Sequence, residues 1–151
     1  MFVKVFTIEK SSDKALDAIS QEFIKMTSRF AKVEEVKIFS KHIAQAQSLG
    51  EKEARASYTK AYEPFLKGYN IALDVNGVEL KSEAFSMLFD ADVHINFFIG
   101  GAFGFEEAFL NQTQRIISLS RLTYAHKIAK VVLFEQIYRG LCIKNNHPYH
   151  K

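Results

Sequence analysis

Asn96-Phe97-Phe98-Ile99-Gly100-Gly101-Ala102-Phe103-Gly104 joins an apolar run to a cluster of glycines, and its reading decides the fold. A short unbroken apolar run bounded by glycine reads as a strand buried on both faces. Glycines directly after such a strand leave the backbone open to close approach by a ligand, because a Cβ would stand in the way. Gly100, Gly101 and Gly104 are thus a candidate ligand cradle. The stretch from Asn96 to His150, with a second strand near Ser118-Leu119 and a closing helix and tail, is expected to hold the functional centre.

Around that stretch the composition is ordinary. The chain has 151 residues, 48% of them hydrophobic, which suits one domain with a real core, so residues 1–151 are expected to fold as a single unit. No apolar run of about 18 residues spans a bilayer. The start, Met1 to Phe6, alternates like a strand and lacks a basic region before a long apolar core, so no signal peptide is expected. Cys142 is alone and cannot form an intrachain disulfide. Both features point to a cytoplasmic protein. The net charge of +3 is too mild to argue for nucleic acid by itself. Its distribution says more, since Lys127, Lys130, Arg139, Lys144 and Lys151 face Glu135 alone in the last segment, with His126, His147 and His150 besides. Such an end suits phosphates, and equally a solvated helix face.

Strand and helix signals alternate along the chain. Phe2–Ile8 reads as a strand. Ser11-Ser12-Asp13 then caps a helix whose stripe is Leu16, Ile19, Phe23, Met26 and Phe30. Val33–Phe39 is a second strand, and the polar segment 41–50 reads as a loop or weak helix. A helix from Glu51 presents Tyr58, Ala61, Tyr62, Phe65 and Leu66, with a break at Pro64. Ile71–Val75 is a third strand closed by an Asn76-Gly77 turn. A short helix capped by Ser82 buries Phe85, Leu88 and Phe89. Strands at Val93–Ile99 and Ile116–Leu119 and a helix over His126–Leu141 complete the chain. Helices between nearly every pair of strands predict an α/β fold with a parallel sheet covered on both faces, and ligands in such sheets bind beyond the carboxyl ends of the strands.

The common cofactor motifs are missing. The first strand is followed by no dinucleotide glycine fingerprint, and no Gly-Lys-Ser or Gly-Lys-Thr marks a phosphate loop. His147 and His150 have no cysteine or acid beside them, so no metal site is expected. Cys142 sits among Leu141 and Ile143 as a buried hydrophobe. His94 reads as a core or edge residue, His42 as a surface residue, and Asp74 and Glu79 as turn formers. The residues alone lead to an α/β domain that binds a small ligand at its glycine turn.

An ordered set of motifs leads further: Leu73-Asp74 with Gly77; Ser82-Glu83-Ala84-Phe85; Phe98-Ile99-Gly100-Gly101 with Gly104; Ser118-Leu119-Ser120 with Thr123; Glu135-Gln136 with Tyr138-Arg139; and the ending Tyr149-His150-Lys151. Over its full length the chain resembles the ribosomal RNA large subunit methyltransferase H family of the SPOUT class. The resemblance implies a homodimeric, S-adenosylmethionine-dependent enzyme that methylates N3 of a pseudouridine in large-subunit rRNA on the ribosome. It also implies a C-terminal trefoil knot over roughly 96–150. Carried over by position, the cofactor site comprises Leu73, Gly100, Leu119, Ser120, Arg121, Leu122, Thr123 and Tyr124. The substrate side falls to Arg139, His147, Tyr149 and His150, with His150 the first candidate for the base that takes the N3 proton and Arg139 the second. The chain departs from the family pattern at Ala102-Phe103, where many members have Pro-Glu, and at Ala125 and Lys130, where Pro and Arg are expected. Two other readings stay open at this point: a SPOUT enzyme acting on tRNA, and a non-catalytic RNA- or ribosome-binding protein of the same fold.

Overall fold

A computed structural model describes residues Met1–Lys151. Its strands are β1 (Phe2–Ile8), β2 (Lys32–Ile38), β3 (Tyr69–Glu79), β4 (His94–Ile99) and β5 (Arg115–Ser118). They pair in parallel in the order β2-β1-β4-β3-β5, which puts the apolar run of the opening motif at the centre of the sheet. A central strand covered by helices above and below has no solvent side, which is why β4 is apolar apart from His94, exposed at its start, and Asn96. Asn96 is buried, and its Nδ2 donates to the Lys67 carbonyl at 2.6 Å and to Asn70 Oδ1 at 3.0 Å. Those bonds fasten the chain that leaves the Pro64 turn onto the sheet.

The helices are α1 (Lys14–Thr27), α2 (Lys41–Leu49), α3 (Glu51–Tyr62), α4 (Ser82–Ser86), α5 (Glu107–Leu110) and α6 (His126–Lys144). Alternation along β4 sorts them between two faces. Ile95, Phe97 and Ile99 pack with Phe85 and Phe89 and with Leu133, Phe134, Ile137 and Leu141 of α6. On the other face Phe98 packs with Tyr58 and Tyr62 of α3 and with Phe105 and Phe109. Each of these large side chains, once buried, contributes roughly 1.5–3 kcal/mol. The sheet therefore has two cores and stands between them. No helix is long and apolar enough to cross a membrane.

Most expected elements are present, with shifted ends and two changes of kind. Segment 41–49 is a regular helix, because Ser40 caps it by accepting from the Ile43 amide at 3.2 Å while Ile43 and Ala46 are buried. The cap of α4 is Lys81 rather than Ser82, and α6 runs on to Lys144. The helix ending at Tyr62 gives way to a 3-10 turn over Glu63–Phe65, as Pro64 requires.

Asn76-Gly77 is not a turn that ends β3. The strand continues to Glu79, and both Leu73 and Val78 pair with Ile117, so Asp74–Gly77 bulges out of an unbroken strand. Asp74 Oδ1 closes the bulge by accepting from the Asn76 amide at 2.9 Å. Gly77 returns the chain against β5 so closely that a Cβ would lie 2.6 Å from the Ile117 carbonyl carbon. Gly77→Ala is expected to destabilise the protein by about 1–3 kcal/mol, the usual range for forced overpacking, as read from urea unfolding. A change below about 0.5 kcal/mol would mean that β5 yields freely there.

Candidate cofactor cleft and the C-terminal tail

Leu73, Ile99 and Ile117 lie side by side across β3, β4 and β5. Directly beyond this row opens a cleft of about 560 Å³, within the range of small-molecule sites. Its walls are the β3 bulge, the glycine loop after β4, the loop after β5 and the first turn of α6. Leu73, Gly100, Leu119, Ser120, Leu122, Thr123 and Tyr124 all line it. Arg121 does not; its exposed side chain pairs with Glu79 at 2.9 Å. Ser120 shapes the loop locally, accepting from the Leu122 amide at 3.0 Å through Oγ and from the Ser118 hydroxyl at 2.7 Å through its carbonyl.

The glycine cluster borders the cleft, but two of its members serve the protein itself rather than a ligand. A Cβ at Gly100 would meet the Gly104 Cα at 2.9 Å, and one at Gly101 would meet the Tyr58 ring at 2.6 Å. A larger residue at either position disturbs the loop before it meets anything bound. The cleft also contains residues for which the sequence carries no motif. Arg55 reaches in from α3 and donates from Nε to the Phe103 carbonyl at 2.7 Å. His126 lines the cleft at the start of α6, where burial lowers its pKa and the Glu9 carboxylate pulls partly the other way.

The tail is folded back rather than frayed. Tyr149 Oη donates to Glu135 Oε1 at 2.9 Å, and the Arg139 guanidinium lies 4.7 Å from the Tyr149 ring centre. Burial raises the pKa of the Tyr149 phenol and the Glu135 bond raises it further, which keeps it a donor. Arg139 Nη1 lies 3.3 Å from His150 Nδ1, and His150 Nε2 lies 3.4 Å from Glu83 Oε1. A guanidinium only donates, so Nδ1 is the acceptor and the ring proton sits on Nε2, toward Glu83. Arg139, Tyr149 and His150 thus form one cluster, while His147 turns to Arg29, 3.4 Å away, and Phe30. The two tail histidines do not converge. None of these residues lines the cleft of its own chain. Arg139 stands 13 residues beyond His126 on α6, or about 20 Å along the helix axis.

Beside the cleft, α6 is pinned to the sheet by charge. Lys130, 1% exposed, bonds Glu9 Oε2 at 2.8 Å, Glu35 Oε1 at 2.5 Å and Asp17 Oδ1 at 3.3 Å. Glu9, which also accepts from the Thr7 hydroxyl at 3.0 Å, follows the carboxyl end of β1. Lys130, where the resemblance leads to arginine being expected, therefore ends in a buried carboxylate cluster.

Residues 1–150 match the family described as "Predicted SPOUT methyltransferase". Among curated relatives, "Ribosomal RNA large subunit methyltransferase H" of Aliarcobacter butzleri (strain RM4018) is 56% identical over 151 residues, covering 100% of both chains. The protein of the same name from Campylobacter concisus (strain 13826) is 49% identical over the same span and coverage. In fold the chain is similar to a solved structure of a probable methylase family protein from Haemophilus influenzae Rd KW20. The TM-score is 0.60 at 9% identity, over 99% of this chain and 70% of that one. With half its residues shared end to end with such relatives, the chain belongs to the ribosomal RNA large subunit methyltransferase H family of SPOUT methyltransferases.

Proposed function

We propose that the chain is a cytoplasmic homodimer that uses S-adenosylmethionine to methylate N3 of a pseudouridine in large-subunit rRNA, on the ribosome. One observation carries the reading: the cleft beyond Leu73, Ile99 and Ile117 is lined by nearly all the residues expected at the cofactor. The names of the relatives support the rRNA substrate. The cleft fits an adenosine-bearing group, with Leu73 and Leu122 as apolar walls, loop backbone for the base edge, and Ser120 and Thr123 as polar neighbours. When bound there, S-adenosylmethionine supplies an electrophilic methyl group on a sulfonium. The family's trefoil knot would fall in the C-terminal stretch, 96–150, that builds these walls.

The chain's own residues then have separable tasks. The cleft walls orient the donor, and the Arg139–Tyr149–His150 cluster meets the target nucleotide, with Arg139 on phosphate and Tyr149 stacked on a base. That cluster stands too far along α6 to serve its own cleft, so the partner's tail completes each site. N3 of pseudouridine is an imide and gives up its proton as the new bond to carbon forms. His150 Nδ1 becomes the acceptor when Arg139 swings from it to the substrate, while Glu83 holds the opposite edge of the ring. No covalent enzyme intermediate is needed.

Calorimetry with S-adenosylhomocysteine, sedimentation, and mass spectrometry of rRNA from a deletion strain test the reading. Expected are saturable binding, a particle of about twice 17.3 kDa, and a methyl group that is lost with the gene and returns with it. Retention of the methylated pseudouridine in the deletion strain would overturn the substrate. A fully active monomer would overturn the shared site.

A further inference from the structure

One stripe of α3 holds the chain as it leaves the central strand. Arg55, Tyr58 and Tyr62 are spaced three and four apart and share a helix face. They meet the segment 99–103 in reverse order. Tyr62 Oη donates to the Ile99 carbonyl at 2.7 Å, the Tyr58 ring occupies the space beside Gly101, and Arg55 Nε donates to the Phe103 carbonyl at 2.7 Å. The two tyrosines are fully buried and locked by packing, with Gln47 donating to Tyr58 Oη at 2.7 Å. Arg55 differs. It sits at the rim with its side chain 37% exposed, braced by Glu51 at 2.5 Å, and it adds a charged donor at Phe103 to a turn that Tyr58 touches at Gly101 and at the Phe103 backbone. That turn is closed by the Gly104 amide on the Gly101 carbonyl at 3.0 Å, and all four of its residues line the cleft.

We propose that Arg55 is a positioning residue for the methyl donor: through the Phe103 carbonyl it keeps the Gly101–Gly104 turn in its binding form and so sets cofactor affinity. The inference rests on the cofactor reading of the cleft. A turn released from the guanidinium samples other conformations, and affinity falls by the fraction of molecules that hold the competent one. Loss of this kind is paid equally in ground and transition states, so it raises KM and leaves kcat alone.

The test compares Arg55→Met, which removes the donor, with Arg55→Lys, which keeps one. Arg55→Met is expected to weaken S-adenosylhomocysteine binding and raise KM for S-adenosylmethionine about tenfold, with kcat on ribosomes within about twofold. Amide exchange should quicken at Gly104 and stay unchanged along β4, in protein without ligand. Arg55→Lys should recover most of the affinity. Unchanged affinity in folded Arg55→Met, equal losses in Met and Lys variants, or exchange that quickens throughout β4 would each overturn the assignment. If the unsubstituted chain binds no S-adenosylhomocysteine, the reading of the cleft fails; if it binds and the variants are indifferent, only the role of Arg55 fails.

Discussion

Deleting Tyr149–Lys151 is expected to slow ribosome methylation about a hundred- to ten-thousand-fold, the range of a positioned acid–base group, while cofactor binding stays near its full value. The proposed cofactor cleft is built mainly from the bulge of β3, the loops after β4 and β5 and the start of α6, so removing the tail touches none of its walls. The truncation does remove the Tyr149–Glu135 bond and the Arg139 contact on the Tyr149 ring. Their loss costs about 1–2 kcal/mol, which for a chain of this length lowers the thermal midpoint by a few degrees only. His150→Ala alone should lower kcat more than it raises KM for ribosomes, because a group that accepts a proton in the transition state acts there and not in binding. Rate assays on isolated ribosomes decide it. A truncated protein that methylates at the normal rate would withdraw Tyr149 and His150 from the site.

Replacing Lys130 with Met is expected to destabilise the fold by about 3–5 kcal/mol, measured by urea unfolding, because Glu9 would be left buried without a counter-ion and Glu35 with only Lys37, 3.8 Å away. Adding Glu9→Gln to Lys130→Met should recover part of that loss, since the stranded charge is the larger fraction of it. The same cluster shapes the pH dependence. Burial works against the Lys130 ammonium, but bonds to Glu35 and Glu9 outweigh it and raise its pKa. Its stabilisation is complete below the unfolded lysine value of about 10.4 and is lost as pH rises through the higher folded value. Asp17 behaves in the opposite sense. Its bond to Lys37, aided by Lys130, lowers its pKa, so its contribution is present above about 3.9 and is lost as pH falls through the folded value. The alkaline fall in stability should be shallower in Lys130→Met. A loss under about 1 kcal/mol in that variant would show that the buried carboxylates find other partners.

Much of this protein is legible without coordinates because the signals are local. The apolar run ending at Gly100, the Asp13 cap, the Pro64 break and the helical stripes each depend on residues within a few positions, and each marks an element of the fold, although Phe30, Phe65 and Leu66 fall beyond the ends of their helices and Ile19 is exposed. Asp13 accepts from the Leu16 amide at 3.1 Å, as its position ahead of the first apolar residue implies. The loop Leu119–Tyr124 is legible for another reason: its residue types and their order, together with the glycine cluster and the tail, match a family pattern. That pattern supplies the residues of the loop, while the strand ends and the glycine turn point to a ligand place there without it.

What depends on partners far along the chain could not be read this way. Asn76-Gly77 is chemically a turn and would close a strand in isolation; it becomes a bulge because β5 continues to pair with β3 at Val78 and Glu79. Gly100 and Gly101 are glycines in either account, but only the approach of Gly104 and Tyr58 shows that packing, before any ligand, forbids a side chain there. Arg55 and Phe103 are 48 positions apart, and Lys130 and Glu9 are 121 apart. In sequence, Lys130 is one of several basic residues that suit phosphates and a solvated helix face equally, and no motif marks Arg55. The local order of the chain determined the elements and the loops that carry the site. The strand order β2-β1-β4-β3-β5 determined which charges are buried and which loop is held, because burial and ion pairing are set by what the sheet brings together and not by neighbours along the chain.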